Sequence, residues 1–317
     1  MENSKELISF INNSPSMFHS IDTIEKYFKE NNFIYLKENE LWKISKGNNY
    51  YTKRNNSSII GFKVGNKLDN YHYQIISSHS DSPTFKLKHV CEMEDSNYLK
   101  LDTEGYGGMI DYSWFDKPLT IAGRVLVNNN NKLESKLLYI DQDLFLIPSL
   151  AIHQNREVNK GMSFNHQIDL LPLVSTELKK GAINKLISNN LKVNEDDIVG
   201  KDLYLVNRQE GKIWGINNEF ISAPKLDDLA CAYTSLKAFL ESSNDSHINM
   251  YCCFDNEEVG SNTKQGAMST FMKDTINRIN NCLGKTNDEL YQAIAKSFMV
   301  SADNAMRFIQ IMQRSMM

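Results

Sequence analysis

The sequence predicts an α/β domain interrupted by a β-rich insertion. Three observations carry that reading. Helix-period and strand-type segments alternate up to about residue 84, they alternate again from 226 onward, and the stretch 85–175 between them holds β-type runs with little helical period. In order, Leu7, Ile8, Phe10 and Ile11 recur at near-helical spacing and predict a helix over 3–13 that stops before Ser14 and Pro15. A second helix is expected at 20–31, short strands at 34–36, 42–45 and 58–64, and a longer apolar strand at 73–78. In the middle, Leu119 to Val127, Leu137 to Tyr139 and Ile168 to Leu173 read as β runs separated by Gly, Asn and Pro. A helix over 175–190 and a charged loop from Asn194 to Asp197 follow. Beyond 226 the pattern predicts a helix at about 228–241, a strand from Ile248 to Phe254, helices at 264–281 and 287–297, and a last strand at 298–301.

Composition bounds the function. A length of 317 residues accommodates two domains or one large one at about 150 residues per domain. No stretch approaches the roughly 20 consecutive apolar residues of a membrane helix, so no membrane partner is expected. The segment Met1 to Glu6 leads into an amphipathic run rather than an apolar signal core, so export is not expected. A net charge of −4 argues against a nucleic-acid surface. The five cysteines (Cys91, Cys231, Cys252, Cys253 and Cys282) form no CxxC pair and read as thiols in a reducing cytoplasm.

Four segments place polar groups where an α/β sheet does chemistry. The apolar run Ile75-Ile76-Ser77-Ser78 ends in His79-Ser80-Asp81, which sets both polar side chains on one side of a strand at its carboxyl end. A histidine there can ligate a metal while the aspartate supports it, or it can be a surface residue before the turn at Ser82 and Pro83. The strand Tyr251 to Phe254 delivers Glu257 and Glu258 in the same way. Adjacent carboxylates repel, so one binding metal and the other taking a proton is a natural division, with a solvated acidic loop as the alternative. Of Asp227 and Asp228 before an apolar helix, Asp228 reads as the N-cap, which leaves Asp227 to point elsewhere. Finally, the strand Met299 to Ser301 ends near Asp303. Together these segments offer His79, Asp227, Glu258 and Asp303 as ligands and Glu257 as a base. Nitrogen and oxygen ligands without thiolates suit zinc, with manganese or cobalt as substitutes, and a paired site needs a bridging carboxylate.

These segments resemble those of the M18 family of metalloaminopeptidases, nearer its aspartyl aminopeptidase branch. The matching motifs are His79-Ser80-Asp81-Ser82-Pro83, Tyr106-Gly107-Gly108 with Trp114-Phe115-Asp116, Leu119 to Val125, Ala151-Ile152-His153, Leu226-Asp227-Asp228-Leu229, Phe254 to Ser261, and Ser301-Ala302-Asp303, in family order. The resemblance implies a zinc-exopeptidase-like α/β/α catalytic domain interrupted by a β-rich dimerisation domain. It divides the chain into catalytic parts at 1–88 and 223–305 around an insertion at 89–222. It further implies two zinc ions per subunit, peptide substrates, and homo-oligomers in which dimers assemble to a dodecamer. Carried over, His79 would ligate one zinc, Asp227 would bridge both ions, Glu258 would be a zinc ligand, Asp303 would ligate the other metal and Glu257 would be the general base. Asp81 would support His79, and His153 would contact substrate in a neighbouring subunit's site.

After Ala305 the family pattern continues His-Ala-x-His-Pro-Asn-Tyr, whereas this chain reads Met306-Arg307-Phe308-Ile309-Gln310. Back-translation of residues 306–317 with one C restored before the first ATG yields His-Ala-Ile-His-Pro-Asn-Tyr-Ala-Lys-Lys-His-Asp. The expectation is therefore that 306–317 are an out-of-frame tail after a single-base deletion, in the gene or its sequencing. The second zinc position would then be weak and activity impaired. A subunit acting only in assembly is the alternative function. Resequencing the locus decides the frame.

Overall fold

The computed structural model describes residues 2–243 and 245–305. The expected tail at 306–317 lies outside the described residues. Two amphipathic helices open the chain, α1 (Glu2–Asn12) and α2 (Met17–Glu30), and they bury Phe10, Ile11, Ile21, Ile24 and Phe28. Strands β1 (Ile34–Tyr35), β2 (Asn49–Arg54), β3 (Ser58–Val64) and β4 (Tyr73–His79) follow. The middle of the chain forms β5 (Thr84–Asp95), β6 (Tyr98–Tyr106), β7 (Leu119–Asn129), β8 (Lys132–Tyr139), β9 (Leu173–Ser175), α3 (Ala182–Leu191), β10 (Ile198–Asn207) and the small hairpin β11 (Lys212–Trp214) and β12 (Phe220–Ser222). The last part comprises α4 (Leu226–Glu241), β13 (Ile248–Phe254), α5 (Phe271–Cys282), α6 (Asn287–Ala295) and β14 (Phe298–Ser301).

The chain is a mixed α/β protein with two six-stranded sheets. In the first, the order is β1-β2-β3-β13-β4-β14, with β13, β4 and β14 mutually parallel and β3 antiparallel to β13. Every residue of β13 is buried because helices cover both faces. Side chains alternate across a strand, so Tyr251 and Cys253 pack with Phe28, Tyr233 and Phe239 from α2 and α4. Met250, Cys252 and Phe254 pack with Phe271, Ile279 and Leu290 from α5 and α6. The second sheet, order β8-β7-β10-β5-β6-β9, is antiparallel and drawn from residues 84–207. Its core of Phe85, Leu101, Ile121, Val125 and Leu203 is closed by Ile183 and Ile187 of α3. Met17, Phe18, Tyr106 and Tyr204 form a small cluster joining the two parts, and the Arg124 guanidinium lies 4.6 Å over the Phe18 ring.

The structure departs from the sequence reading in several places. Residues 42–45 are not a strand: Trp42 is buried, donates its indole N–H to the Lys37 carbonyl and lies under the Arg278 guanidinium, so this apolar run covers a sheet rather than joining it. The expected strand at 168–173 is mostly turn, because the Asp169 carboxylate accepts the Asn165 N–H and only 173–175 reach β6. The helix expected from 175 begins at 182, after Gly181 at φ +90°. Its first turn is capped from outside, since the Glu92 carboxylate of β5 accepts the N–H groups of Gly181 and Ile183. The helix expected from 264 begins at 271, because the Thr263 and Gln265 side chains are tied to the side-chain oxygen Oδ1 of Asn256 and hold 263–265 out of a helix. Strand β10 has no counterpart in the sequence reading; its apolar Leu203 and Leu205 belong to the second core. Among the described residues no helix is long and apolar enough to cross a membrane.

Candidate metal centre

Parallel strands bring the chemistry to one edge. In the register of the first sheet His79 ends β4 opposite Phe254, the end of β13, and Ser301 ends β14 opposite Ser77. The residues just beyond these ends, His79 to Asp81, Asp255 to Glu258 and Asp303, therefore emerge at the same carboxyl edge. The start of α4 packs on β4 and adds Asp227 and Asp228.

The His79 ring is buried, and its two nitrogens have different surroundings. Nδ1 lies 3.3 Å from Asp81 Oδ1 and 3.2 Å from the Asp81 carbonyl oxygen. Nε2 has no hydrogen-bond partner, although Asp227 Oδ1, Asp303 Oδ1 and Asp228 Oδ2 stand 3.3, 3.7 and 3.9 Å away. A buried nitrogen without a hydrogen bond, ringed by three carboxylates, is the arrangement a divalent cation satisfies. His79, Asp227, Asp228 and Asp303 each offer a ligand atom within 4.8 Å of the others, and His79, Glu257 and Glu258 form a second such group. The donor set is one imidazole with carboxylates, which suits zinc.

Asp81 is fully enclosed and belongs to neither group of potential ligands; its carboxylate ties the two strand ends together. Oδ1 accepts the Glu257 N–H and Oδ2 the Glu258 N–H, each at 3.2 Å, while Oδ2 also accepts the Tyr106 hydroxyl at 2.7 Å. The site residues Glu257 and Glu258 sit in a short 3-10 turn, Glu257 exposed and Glu258 half-buried. Gly107, at φ +74°, passes so close that a Cβ there would lie 2.9 Å from Glu258 Cβ, which explains a glycine at that position.

Asp228 is a correction to the sequence reading. It is not an N-cap: no side chain caps α4, and the backbone leaves helical angles at Asp227 and Asp228. Instead Asp228 is wholly buried and its Oδ2 accepts the His79 N–H at 3.0 Å, so it pins the start of α4 to the end of β4. Asp227 and Asp303 are both about half exposed on the open side of His79. His153 is exposed in the loop 148–157 and joins neither group of potential ligands. The sequence reading did not give Tyr106 a part in the site, although it noted the Tyr106-Gly107-Gly108 motif; its hydroxyl arrives from the second sheet.

The electrostatics match a site built for a cation. Burial opposes protonation of His79, but the hydrogen bond and charge of Asp81, with Asp228 and Glu257, raise its pKa to about 9. Burial, then the neighbouring Asp227 and Asp81, push Glu258 up to about 7, and burial pushes Asp228 up to about 6. The metal-free site thus holds protons at neutral pH in place of a cation. Zinc takes neutral imidazole and ionised carboxylates, so its binding at pH 7 should release about one proton from His79 and a fraction from Glu258. Affinity should climb with pH up to about 9, where the His79 contribution ends. Calorimetric titration in two buffers of different ionisation enthalpy checks this, and zinc binding at pH 7 without proton release would refute it. The metal-free chain should conversely lose the stability given by charged His79 as pH rises from about 6.5 through about 9.

A cavity of about 680 Å³ adjoins the centre, with Ser82, Gly108, Trp114, Tyr204 and Lys225 in its wall. Its charged residues are Lys117, Lys212, Lys225 and Glu210, and burial lowers the Lys225 ammonium to about 8.

Comparison with known proteins gives the same picture along the whole chain. The sequence model described as "Aminopeptidase I zinc metalloprotease (M18)" matches residues 10–308. The chain is 43% identical over 313 residues to the probable M18 family aminopeptidase 2 of Clostridium acetobutylicum, covering 96% of this chain and 72% of that one. It is 33% identical to the aspartyl aminopeptidase of Dictyostelium discoideum, covering 95% of this chain and 72% of the relative. Among solved structures, mApe1 of Chaetomium thermophilum superposes with a TM-score of 0.88 at 29% identity, covering 95% of this chain and 74% of that chain. Shared sequence over nearly its full length, the shared fold, and a histidine and carboxylates gathered at one sheet edge all agree: the chain belongs to the M18 family of zinc metalloaminopeptidases.

Proposed function

We propose that this chain is an aminopeptidase that removes N-terminal residues from peptides with zinc held at the His79 edge. The observation that carries the reading is the buried His79 Nε2 without a hydrogen bond, facing Asp227 and Asp303 while Glu257 and Glu258 project from the neighbouring strand end. His79, Asp227 and Asp303, members of one group of potential ligands, would hold one ion; Glu258 would help hold a second, with Asp227 shared as the family resemblance implies. Zinc bound there supplies a Lewis acid that polarises a carbonyl and acidifies water. Glu257, the exposed member of the acidic pair, takes the proton of the attacking water and returns it to the leaving amine. Asp81 keeps the His79 ring oriented so that Nε2 faces the carboxylates.

Acidic first residues are the preferred substrates. Relatives named aspartyl aminopeptidases support this, as do the three lysines against one glutamate in the adjoining cavity. A homo-oligomer built through residues 89–222, with the catalytic domain formed by 1–88 and 223–305, accords with a structural neighbour titled the mApe1 dodecamer. His153, together with exposed Leu150 and Ile152 in the same loop, would lie at such a contact and reach a neighbouring site. The free cysteines fit a reducing cytoplasm.

The second group of potential ligands adds only Glu257 and Glu258 to His79 among the described residues, and that observation favours a second reading, a subunit that assembles without turning over substrate. One experiment separates the two. The zinc-loaded chain is incubated with peptides bearing free or acetylated N-termini and acidic or neutral first residues, with oligomer size measured alongside. Release of acidic residues from free-amine peptides only is the expected result; a large assembly that releases none would establish the assembly role instead.

A further inference from the structure

We infer that Tyr106 is a positioning residue for the metal centre, the contact through which the second sheet sets the orientation of Asp81 and hence of His79. The inference rests on the metal-centre reading given above. Tyr106 is the last residue of β6, paired with Thr84 where the chain enters the second sheet. Its ring is buried edge-on against Tyr204 at 5.4 Å between centroids, so the hydroxyl has a set direction. That hydroxyl donates to Asp81 Oδ2 at 2.7 Å, the shortest of the hydrogen bonds to this carboxylate, and accepts from Asn256 Nδ2 at 2.8 Å. The Asn256 Oδ1 accepts in turn from Thr263 Oγ1 at 2.7 Å and Gln265 Nε2 at 2.8 Å.

The result is a directional chain in which each donor points toward Asp81: Thr263 and Gln265 to Asn256, Asn256 to Tyr106, Tyr106 to Asp81. At its end the Asp81 carboxylate faces His79 Nδ1 and two backbone N–H groups of the Glu257–Glu258 turn. Backbone contacts alone leave that carboxylate a choice of rotation about its terminal bond. The Tyr106 hydroxyl removes the choice by fixing the plane of the carboxylate, with one of its two equivalent oxygens toward the hydroxyl and the other toward the imidazole. Because the next residue, Gly107, lies against Glu258, one segment of the second sheet abuts both supports of the site.

Tyr106→Phe keeps the ring and its packing against Tyr204 while deleting the donor. It should weaken zinc binding by about 10–100-fold in chelator competition, the range for residues that orient a metal-ligating histidine. In the metal-free chain, the His79 ring N–H held by Asp81 should exchange with solvent faster in Tyr106→Phe by proton NMR. Tyr204→Phe, which leaves the hydrogen-bond chain in place, should change neither quantity. Asn256→Gly, which accepts the φ of +64° at that position, should shift both in the same direction by less. Ring-proton exchange and zinc affinity within twofold of the parent in Tyr106→Phe would overturn the inference. If the parent chain binds no zinc, the metal-centre reading fails, and the exchange comparison still decides the role of Tyr106.

Discussion

Glu257→Gln is expected to lower turnover of an acidic free-amine peptide by about 10²–10⁴, the usual contribution of a positioned general base. Zinc content should stay unchanged. The two halves of that result come from different features of the site. Glu257 is the exposed member of the acidic pair and lies outside the group of His79, Asp227, Asp228 and Asp303, so removing its charge should leave in place the ion that group would hold. The substitution is nearly isosteric, and the Glu257 N–H that Asp81 accepts belongs to the backbone, so the turn itself persists. The measurement is kcat at excess zinc, where mass action fills the less well-liganded position, together with metal content after dialysis. Parent-level turnover would remove Glu257 from the proton transfer. Loss of zinc along with turnover would make it a ligand instead.

His79→Ala is expected to weaken zinc binding by about 10²–10³. Apparent zinc binding free energies of about 10–16 kcal/mol shared among four ligands come to roughly 2.5–4 kcal/mol each, which sets that range. The imidazole is also the only nitrogen ligand in either group, and Asp81, Asp227, Asp228 and Asp303 all stand near it. Deleting it leaves these carboxylates facing one another across a void, so the metal-free variant should also melt below the parent at pH 7, where His79 carries its proton. His153→Ala is the control: it lies in an exposed loop outside both groups and should leave zinc affinity untouched. Competition with a chromophoric chelator reads both variants. Equal affinity in His79→Ala and the parent would place the ion elsewhere.

Much of the site was legible in the sequence because its parts are local. An apolar strand followed at once by His79 and Asp81, or by Glu257 and Glu258, states that polar groups leave the sheet at its carboxyl edge, where parallel strands converge. The long middle strands were harder to read, because β6 alternates buried and more exposed residues, and β5 and β10 mix short apolar stretches with charged ones and lack the solid hydrophobic run of β13. Asp228 was misread for a related reason. An acid before a helix is ordinarily a cap, and only the approach of the β4 end turns it into an acceptor for the His79 N–H. The starts of α3 and α5 were set by partners distant in sequence, Glu92 for the first and Asn256 for the second.

By itself, then, the sequence determined the fold class, the family and the residue types at the strand ends, since periodicity and short motifs are properties of neighbouring residues. The tertiary structure decided which way each side chain faces. It left His79 Nε2 without a hydrogen bond among three carboxylates, sent Asp228 inward and Asp227 outward, and brought Tyr106 from another sheet onto Asp81. Those choices depend on contacts between elements that the chain folds together from far apart, and no local pattern encodes them.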